Sequence, residues 1–286
     1  MKSSKIRQSV FAGSWYPASA ADCEKEIKDF LAEGQNLTPP DRELVAGIVP
    51  HAGWYFSGSI ACNVIHCLTG DVPPDAIVVF GMHLHPESTC YMMAEGAWET
   101  PFGEIMVEEK LAAEIAAKFA FKIETPHNFS RDNTIELQLP FIKYFFKDAK
   151  ILAMGVPPNQ TSLDIGRAVA TISRQMGISI KVIGSTDLTH YGSNYGFESQ
   201  GSGKQAVDWV RNENDRRVID AMLEMAPEKV IAEARASQNA CCAGAAATAI
   251  ETAKHLGADS ADELAYATSY DKSPGESFVG YVGIVF

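Results

Sequence analysis

The stretch IKVIGSTDLTHYG, residues 180–192, is an apolar run that ends abruptly in polar side chains. Its first six residues are mostly β-branched or small, which is typical of a strand buried on both faces. Asp187 and His190 follow within five residues of the end of that run. Because open α/β sheets bind ligands outside the carboxyl ends of their strands, the stretch predicts a largely parallel sheet with a functional site at one edge.

Similar apolar runs and helical patterns alternate along the rest of the chain. The other predicted strands are residues 44–50, 76–81, 151–156, 264–269 and 278–286. The predicted helices are residues 20–32, 57–68, 107–121, 161–176, 204–223, 226–236 and 241–256, and Ser19 with Asp22 forms a capping box for the first of them. This alternation predicts an α/β fold in one domain, residues 1–286, with a central, largely parallel or mixed sheet flanked by helices.

Composition narrows the range of partners. The 286 residues include 24 Lys and Arg against 36 Asp and Glu, a formal charge of −12, and no basic cluster occurs that would bind nucleic acid. No apolar run approaches the ~20 residues that cross a bilayer, and the basic start is not followed by the apolar segment of a signal peptide. We therefore expect a cytoplasmic protein with neither a nucleic-acid nor a membrane partner. The sequence leaves the oligomeric state open.

Histidines follow two more of the predicted strands. His51 comes directly after the strand VAGIVP, and the strand AIVVFG is followed by Met82, His83, Leu84 and His85. If the strands are parallel neighbours, these side chains converge with His190 on one crevice. The other histidines, His66, His127 and His255, lack this context and are interpreted as structural or surface residues.

Asp187 has two interpretations that remain open at this stage. Its carboxylate, three residues before His190, can accept the imidazole N–H and fix the tautomer of that histidine. Asp also caps turns frequently, and this alone would explain a carboxylate at a strand end. The two roles are compatible with each other.

The segment NACCAGAAA, residues 239–247, contains adjacent cysteines before a run of small residues. Asn239 is a plausible N-cap, which would put both sulfurs in the first helical turn, where the helix dipole stabilises a thiolate. A disulfide between neighbours would be strained, and at most one of the two sulfurs can face a given site. Burial as ordinary core cysteines is an equal alternative. One cysteine together with two histidines would suit Fe(II), Zn or Cu.

Six segments distributed along the chain resemble the motifs of one family. The chain is identified as a member of the Memo family, also called AmmeMemoRadiSam system protein B. The resemblance implies a fold similar to that of class III extradiol dioxygenases, which use non-haem Fe(II). The matching segments, in order, are VFAGSWYPAS (10–19), VPHAGWYFSG (49–58), TIELQLPF (134–141), STDLTHYG (185–192), NACCAG (239–244) and SFVGYVGIVF (277–286).

The resemblance also implies a set of site residues. It assigns His51 and Cys242 as metal ligands, with Cys241 as a packed neighbour, and makes His190 the acid/base residue beside Asp187. The second ligand histidine is expected in a GPxH segment, but this chain has GMHLH with Leu84 at that position. His83 is favoured for this role, with His85 as the alternative.

Two further positions bear on the chemistry that the resemblance implies. Asn133 stands where family members often carry a histidine, a departure that puts the shared reaction in question. Glu136 is retained and is expected to support the site from behind or to cap a helix.

The leading hypothesis is a metal-dependent redox enzyme of extradiol-dioxygenase type that acts on a small aromatic or peptide-borne phenol. Its metal would be Fe(II), with open positions for O₂ and the substrate. The substrate pocket would be walled by Trp15, Trp54 and Tyr191 and supported by Glu136. A zinc-dependent hydrolase that uses the same ligands and a non-catalytic metal- or peptide-binding protein are the alternatives.

Overall fold

The apolar runs form the strands of a central sheet in the computed structural model, which describes residues 5–286. All six predicted strands are present, and six short strands are added. The strands are β1 (Ile6–Arg7), β2 (Ala46–Val49), β3 (Ala76–Gly81), β4 (Cys90–Met93), β5 (Ala97–Thr100), β6 (Gly103–Met106), β7 (Phe121–Glu124), β8 (Lys150–Gly155), β9 (Ile180–Ser185), β10 (His190–Tyr191), β11 (Asp262–Thr268) and β12 (Phe278–Val285).

The central sheet is mixed, and its middle is parallel. Its strand order is β10-β12-β2-β9-β3-β8-β4-β7, and β11 pairs with β12 outside this path. Strands β2, β9, β3 and β8 are parallel neighbours, whereas β12 and β4 flank them in antiparallel pairing. The parallel strands are buried along almost their whole length because helices cover both faces. The predicted fold class is therefore confirmed.

A second, three-stranded sheet of order β1-β5-β6 was not predicted. Its strands are only two to four residues long, and three of the four residues of β6 are exposed. Such short, partly exposed segments carry little apolar periodicity, so the sequence gives no strong signal for them.

Helices fill most of the remaining chain. Ser19 caps the first of them as predicted, because its side chain accepts the backbone N–H of Asp22 at 3.1 Å. The helices are α1 (Ala20–Glu33), α2 (Trp54–Cys67), α3 (Glu109–Ala116), α4 (Asn133–Glu136), α5 (Leu139–Phe145), α6 (Gln160–Met176), α7 (Lys204–Trp209), α8 (Asp215–Leu223), α9 (Pro227–Ser237) and α10 (Ala243–Leu256). Within residues 5–286, none of them is both long and apolar enough to cross a bilayer.

The predicted helix over residues 204–223 contains a widened turn. A π-helical segment, Val210–Asn214, joins α7 to α8 without a break. Such π turns change the direction of the following side chains and are frequent near functional sites. Asn214 and Asp215, at the end of this turn, are both buried and face the loop that precedes β10.

Helix α10 begins two residues later than predicted, and its cap differs. Cys242 rather than Asn239 occupies the N-cap position, and the Asn239 side chain instead donates to the carbonyl of Asn214 at 2.7 Å. The Ala-rich face of α10 lies directly on β9, where a Cβ on Gly184 would come within 2.7 Å of Ala249 Cβ. This close packing carries the turn before α10, and its cysteines, to the carboxyl end of the parallel strands.

Candidate metal centre and active site

Three neighbouring parallel strands deliver the polar side chains of the site. Strand β9 lies between β2 and β3. His51, His83 and Asp187 are each the second residue after the end of one of these strands. Because the three strands run parallel and end at the same edge, the three side chains converge, as the position of the site in an α/β sheet requires.

The core of the site is a group of four potential metal ligands. One ligand atom each from His51, His83, Cys241 and Cys242 lies within 4.8 Å of the others. Cys241 Sγ is 3.3 Å from His51 Nε2, and the two imidazole rings are 5.0 Å apart in an edge-to-face arrangement. Imidazole and thiolate are ligands for zinc, iron and copper, so the donor set fits a transition-metal ion.

The tautomer of His51 follows from its hydrogen bonds. Its Nδ1 lies 3.0 Å from Ser185 Oγ, and that hydroxyl donates its only proton to the carbonyl of Thr134 at 2.7 Å. Ser185 must therefore accept the Nδ1–H of the imidazole, which leaves the Nε2 lone pair of neutral His51 directed at Cys241. A histidine with one ring nitrogen held by a hydrogen-bond acceptor and the other bare is prepared for metal coordination.

His83 is oriented by a carboxylate. Its Nδ1 lies 3.8 Å from Asp132 Oδ2, and Asp132 is buried at the N-cap of α4. Asp132, and secondarily the Cys241 thiol, raise the pKa of His83 to about 10. His85 is exposed, and its Nδ1 instead accepts the backbone N–H of Glu87 at 3.3 Å. Of the two candidates in GMHLH, His83 is thus the one that joins the ligand group.

Met82, the residue before His83, has a left-handed backbone. Its φ of 71° is unusual for a residue other than glycine, asparagine or aspartate. Thr134 Oγ1 accepts the Met82 N–H at 2.7 Å. The side chain of Met82 fills the space beside Gly155, where a Cβ would lie 2.2 Å from Met82 Sδ. This bend turns the chain at the end of β3 and directs His83 toward His51.

The two cysteines are not equivalent: Cys242, expected as the ligand, lies in the ligand group, and Cys241, expected as its packed neighbour, lies there as well. Cys241 Sγ contacts His51 and accepts the backbone N–H of Asp187 at 3.3 Å, whereas Cys242 Sγ lies behind it at 3.8 Å. Burial opposes ionisation of Cys241, but the hydrogen bond from Cys242 and the proximity of His51 lower its pKa well below the usual value. Burial and the adjacent thiol raise the pKa of Cys242. Cys241 is therefore the sulfur better placed to bind a metal.

His190 and Asp187 are close together, but they do not form the expected pair. His190 Nδ1 lies 3.1 Å from the carbonyl of Leu188, which can only accept, so Nδ1 carries the proton and Nε2 is free. Asp187 Oδ1 instead accepts the backbone N–H of His51 at 2.7 Å. A backbone carbonyl thus fixes the His190 tautomer. Asp187 joins two strand ends, and its burial raises its pKa, an effect that nearby His51 partly offsets.

A cavity of about 600 Å³ opens above these groups. His51, His83, Asp187 and His190 are among its polar lining residues, and Trp15 forms part of its wall as expected from the sequence. A volume of this size is in the range that binds small molecules. The other lining residues are Ser14, Ala52, Gly53, Tyr55, Phe56, Asn133, Tyr195, Ser269, Ser273, Ser277, Val279 and Tyr281.

Trp54 and Tyr191, which were expected to wall the pocket, lie in the core instead. Trp54 stacks on Phe141 with ring centroids 4.1 Å apart and donates its indole N–H to the carbonyl of Leu137. Tyr191 stacks on Phe278 and donates its hydroxyl to the carbonyl of Gly201 at 2.9 Å. Trp54 begins helix α2, which packs against the sheet, and Tyr191 lies in β10, a strand of the sheet itself, so both rings are buried in the core.

Glu136 also lies away from the cavity and has a different task. Its Oε1 accepts the backbone N–H groups of Val10 and Phe11, each at 2.7 Å, and the hydroxyl of Tyr16 at 3.1 Å. The carboxylate therefore ties the N-terminal segment to α4, and this segment carries Trp15 to the cavity wall.

The segment 132–138 supports the ligand group, a role that the sequence did not reveal in full. Thr134 and Asp132 hold the residues described above, Asn133 Nδ2 donates to the carbonyl of His51 at 2.9 Å, and Gln138 Nε2 donates to the carbonyl of Pro50 at 2.9 Å. Asp132 and Ser185 were missed as site residues. The Asp-Asn-Thr sequence before a short helix is a recognisable N-cap signal for Asp132, but no local pattern marks Ser185.

An α/β sheet with a His/His/Cys cluster at the ends of its central parallel strands defines a candidate metalloprotein. The chain belongs to the Memo family: the model of Memo-like protein matches residues 7–285. It is 34% identical to a MEMO1 family protein of Pyrococcus furiosus, over 98% of each chain. It is also 34% identical to one of Thermococcus kodakarensis, over 98% of this chain and 99% of the relative. An uncharacterized protein of Escherichia coli K12 shares the fold, with a TM-score of 0.53 and 12% identity over 84% of this chain and 99% of the other.

Proposed function

We propose that this protein is a metal-dependent oxidoreductase of extradiol-dioxygenase type that acts on a small aromatic or phenolic substrate. One observation carries the proposal. His51 and His83, whose ligand atoms converge with that of Cys241, line a small-molecule cavity beside a third histidine, His190, with a free ring nitrogen. The extradiol reaction needs a redox metal and an acid/base group side by side, and the cavity offers candidates for both.

The proposed metal ligands are His51, His83 and Cys241, with Fe(II) as the preferred ion and Zn or Cu as alternatives. When bound, Fe(II) supplies one-electron chemistry and open positions for O₂ and the substrate. The protein's own contribution is to hold the Nδ1–H of His51 on Ser185, which directs Nε2 toward the proposed ion, and to hold His83 beside Asp132. Cys242, whose sulfur lies 3.8 Å behind that of Cys241, keeps a thiol proton because burial raises its pKa.

His190 is the proposed acid/base residue. Its Nδ1–H is tied to the carbonyl of Leu188, so the Nε2 atom is available to take a proton from a phenolic hydroxyl and to return it later. Tyr195 packs edge-on against its ring with centroids 5.0 Å apart, which limits rotation of the imidazole. Asn133 lines the same cavity and offers a hydrogen-bonding amide that cannot transfer protons.

The test is metal analysis and oxygen uptake on protein purified without added metal and then loaded anaerobically with Fe(II). We expect one equivalent of iron and catechol-dependent O₂ consumption, with a His190→Gln variant that keeps the iron but loses turnover by about 10²–10⁴-fold. Asn194→Ala, which changes a nearby loop residue outside the cavity lining, serves as the control. Zinc as the only stoichiometric metal, with no O₂ consumption after iron loading, would favour the zinc hydrolase instead.

A non-catalytic metal-binding protein is the second candidate, and the position of Cys242 favours it. Its sulfur lies within the 4.8 Å group and 3.8 Å from Cys241 Sγ. If both sulfurs bind the ion together with two histidines, the site is closed in the manner of structural zinc sites and leaves no position for substrate. X-ray absorption spectroscopy of the metal-loaded protein separates the two cases: one sulfur neighbour supports the enzyme, and two support the binding protein.

A further inference from the structure

Exposed aromatic rings are concentrated around the mouth of the site cavity. Trp15 is 41% exposed, Tyr55 is 64% exposed and Tyr195 is 46% exposed, and all three line the cavity. Large rings held in water at the edge of a concave site are a frequent means of recognising a ligand. Within residues 5–286, the other strongly exposed large apolar side chains, Val72, Met106, Ile123 and Met176, are all aliphatic and lie outside this cavity.

The walls of the cavity carry few charged side chains. Among the residues that the structure describes, its lining contains no Lys or Arg, and Asp187 is its carboxylate. A ligand group at the mouth would therefore meet aromatic faces, which attract an ammonium group and offer no ion pair to a carboxylate.

The ammonium group of Lys272 contacts the aromatic rim of the cavity. Its Nζ lies 5.6 Å from the centroid of the Tyr55 ring and donates to the carbonyl of Tyr55 at 2.8 Å. The lysine is exposed and does not line the cavity, so it occupies the outer side of the ring. The rim thus holds one ammonium group through an aromatic face and a backbone carbonyl, the two contacts that a ligand amine would use.

Hydroxyl oxygens add acceptors at the same mouth. The hydroxyl of Ser14, beside Trp15, donates to the carbonyl of Phe11 at 2.9 Å, so its oxygen lone pairs remain available as acceptors. Ser277 also lines the cavity and accepts the backbone N–H of Asn194. Such oxygens can accept the N–H groups of an ammonium ion but cannot neutralise a carboxylate.

We propose that the cavity selects phenols or catechols that carry a protonated amine on a short side chain, and that it discriminates against the corresponding acids. The inference rests on the proposed function for the orientation of the ring, with the phenolic oxygens toward His51 and His190. The amine then lies at the mouth among Trp15, Tyr55 and Tyr195.

The test is isothermal titration calorimetry of the anaerobic, metal-loaded protein with three catechols of matched size. Dopamine carries the ammonium, 4-propylcatechol is neutral, and 3-(3,4-dihydroxyphenyl)propionate carries a carboxylate. We expect dopamine to bind about tenfold more tightly than the neutral catechol, and the acid to bind most weakly, since a cation–π contact in a partly desolvated site contributes roughly 1–2 kcal/mol.

Variants locate the preference. Tyr55→Leu, at a largely exposed position, is expected to lower the dopamine-to-propylcatechol affinity ratio about fivefold, and Tyr195→Leu should act in the same direction. Tyr91→Leu is the matched control, because Lys122 Nζ lies 5.0 Å from its ring centroid but Tyr91 is outside this cavity. An unchanged ratio in both rim variants would overturn the assignment of the amine to the aromatic mouth.

The outcomes separate this inference from the proposed function. Preferential binding of dopamine without O₂ consumption would support the ammonium subsite and contradict the oxygenase. Oxygen consumption with the acid bound as tightly as dopamine would support the oxygenase and contradict the ammonium subsite. Failure of all three catechols to bind the metal-loaded protein would overturn the inference, whatever metal analysis shows.

Discussion

The two ends of the parallel strands form an internal comparison. At the amino ends, before β3, β8 and β9, lies a groove of about 950 Å³ that is larger than the 600 Å³ cavity at the carboxyl ends. Its lining includes Asp75, Glu108 and Lys150, so it is no less rich in charged groups. Yet only the smaller cavity brings together groups that can do chemistry.

The difference lies in how the polar atoms are used. In the amino-end groove, Lys150 Nζ pairs with Glu108 at 2.7 Å, and Asp75 accepts both the backbone N–H and the hydroxyl of Ser179. At the carboxyl ends, hydrogen bonds to oxygen atoms occupy Nδ1 of His51 and of His190, while Nε2 of His51 lies 3.3 Å from Cys241 Sγ and Nε2 of His190 is available. Free donor atoms that converge, rather than volume, therefore distinguish the candidate site.

The largest expected effect separates the two cysteines of the carboxyl-end site. Cys241→Ser should weaken metal binding by more than about a hundredfold, because the ~10–16 kcal/mol of a four-ligand site corresponds to roughly 3 kcal/mol for each ligand. Cys242→Ser should cost less than about tenfold, since it removes only a hydrogen-bonding neighbour. Competition with a chelator of known affinity measures both. Equal losses would mean that both sulfurs bind the ion.

The two histidines of GMHLH give a comparable contrast within three residues. His83→Ala should lose metal about as severely as Cys241→Ser, whereas His85→Ala should retain full stoichiometry, because His85 lies outside the ligand group and its Nδ1 accepts the backbone N–H of Glu87. The metal content of the two purified variants is the measurement. A full complement of metal in His83→Ala would remove this residue from the ligand set.

The sequence predicted the position of the candidate site better than it predicted the residues that hold the site in place, and the reason is physical. His51, His83 and Asp187 each follow a strand of four to six buried residues by two positions. This local pattern of an apolar run followed by a polar side chain predicts the edge of the sheet at which the site lies. Helix α10 could also be anticipated, but which sulfur faces His51 depends on a turn that places Cys242 at the N-cap.

Contacts between distant segments left no such pattern. Glu136 binds backbone atoms more than 120 residues away, and Ser185 relays between His51 and Thr134. The inward packing of Trp54 likewise depends on Phe141, which is far from it in sequence. Side-chain targets of this kind are decided by the assembled fold, so the sequence could name Glu136 and Trp54 but not what they contact.

Two carboxylates, Asp215 near the site and Asp75 at the opposite end of the strands, should affect the pH dependence of stability differently. Burial raises the pKa of Asp215, near the site, to about 6 from a usual value of 3.8, although Thr189 and Tyr266 donate to it. The folded state therefore holds this proton more tightly than the unfolded chain, and stability falls as pH rises from about 4 to about 6. Two pKa units correspond to about 2–3 kcal/mol in the free energy of unfolding.

Urea unfolding of the wild-type protein and Asp215→Asn at pH 4 and 7.5 tests this sign. From pH 4 to pH 7.5, the free energy of unfolding of the variant should rise by about 2 kcal/mol relative to that of the wild type, because the Asn side chain does not ionise. Asp75 at the opposite end provides the contrast, since hydrogen bonds from Ser179 lower its pKa. The stabilisation by the Asp75 carboxylate is therefore present above about pH 4 and is lost only below it, so the difference in stability between Asp75→Asn and the wild type should be nearly the same at pH 4 and 7.5. A gain of Asp75→Asn over this range as large as that of Asp215→Asn would contradict the assignment.

The smallest expected effect uses the two ends of a single strand. Ser185 ends β9 and accepts the Nδ1–H of His51, whereas Ser179 immediately precedes β9 and donates to Asp75 at 2.8 Å. Ser185→Ala should weaken metal binding about tenfold, because His51 then loses the acceptor that fixes its tautomer. Ser179→Ala removes the same hydroxyl from the same strand at the other end and should change metal affinity less than about twofold. If the two variants bound metal equally, the bare Nε2 of His51 would not depend on Ser185, and the distinction between the two strand ends would rest on the ligands alone.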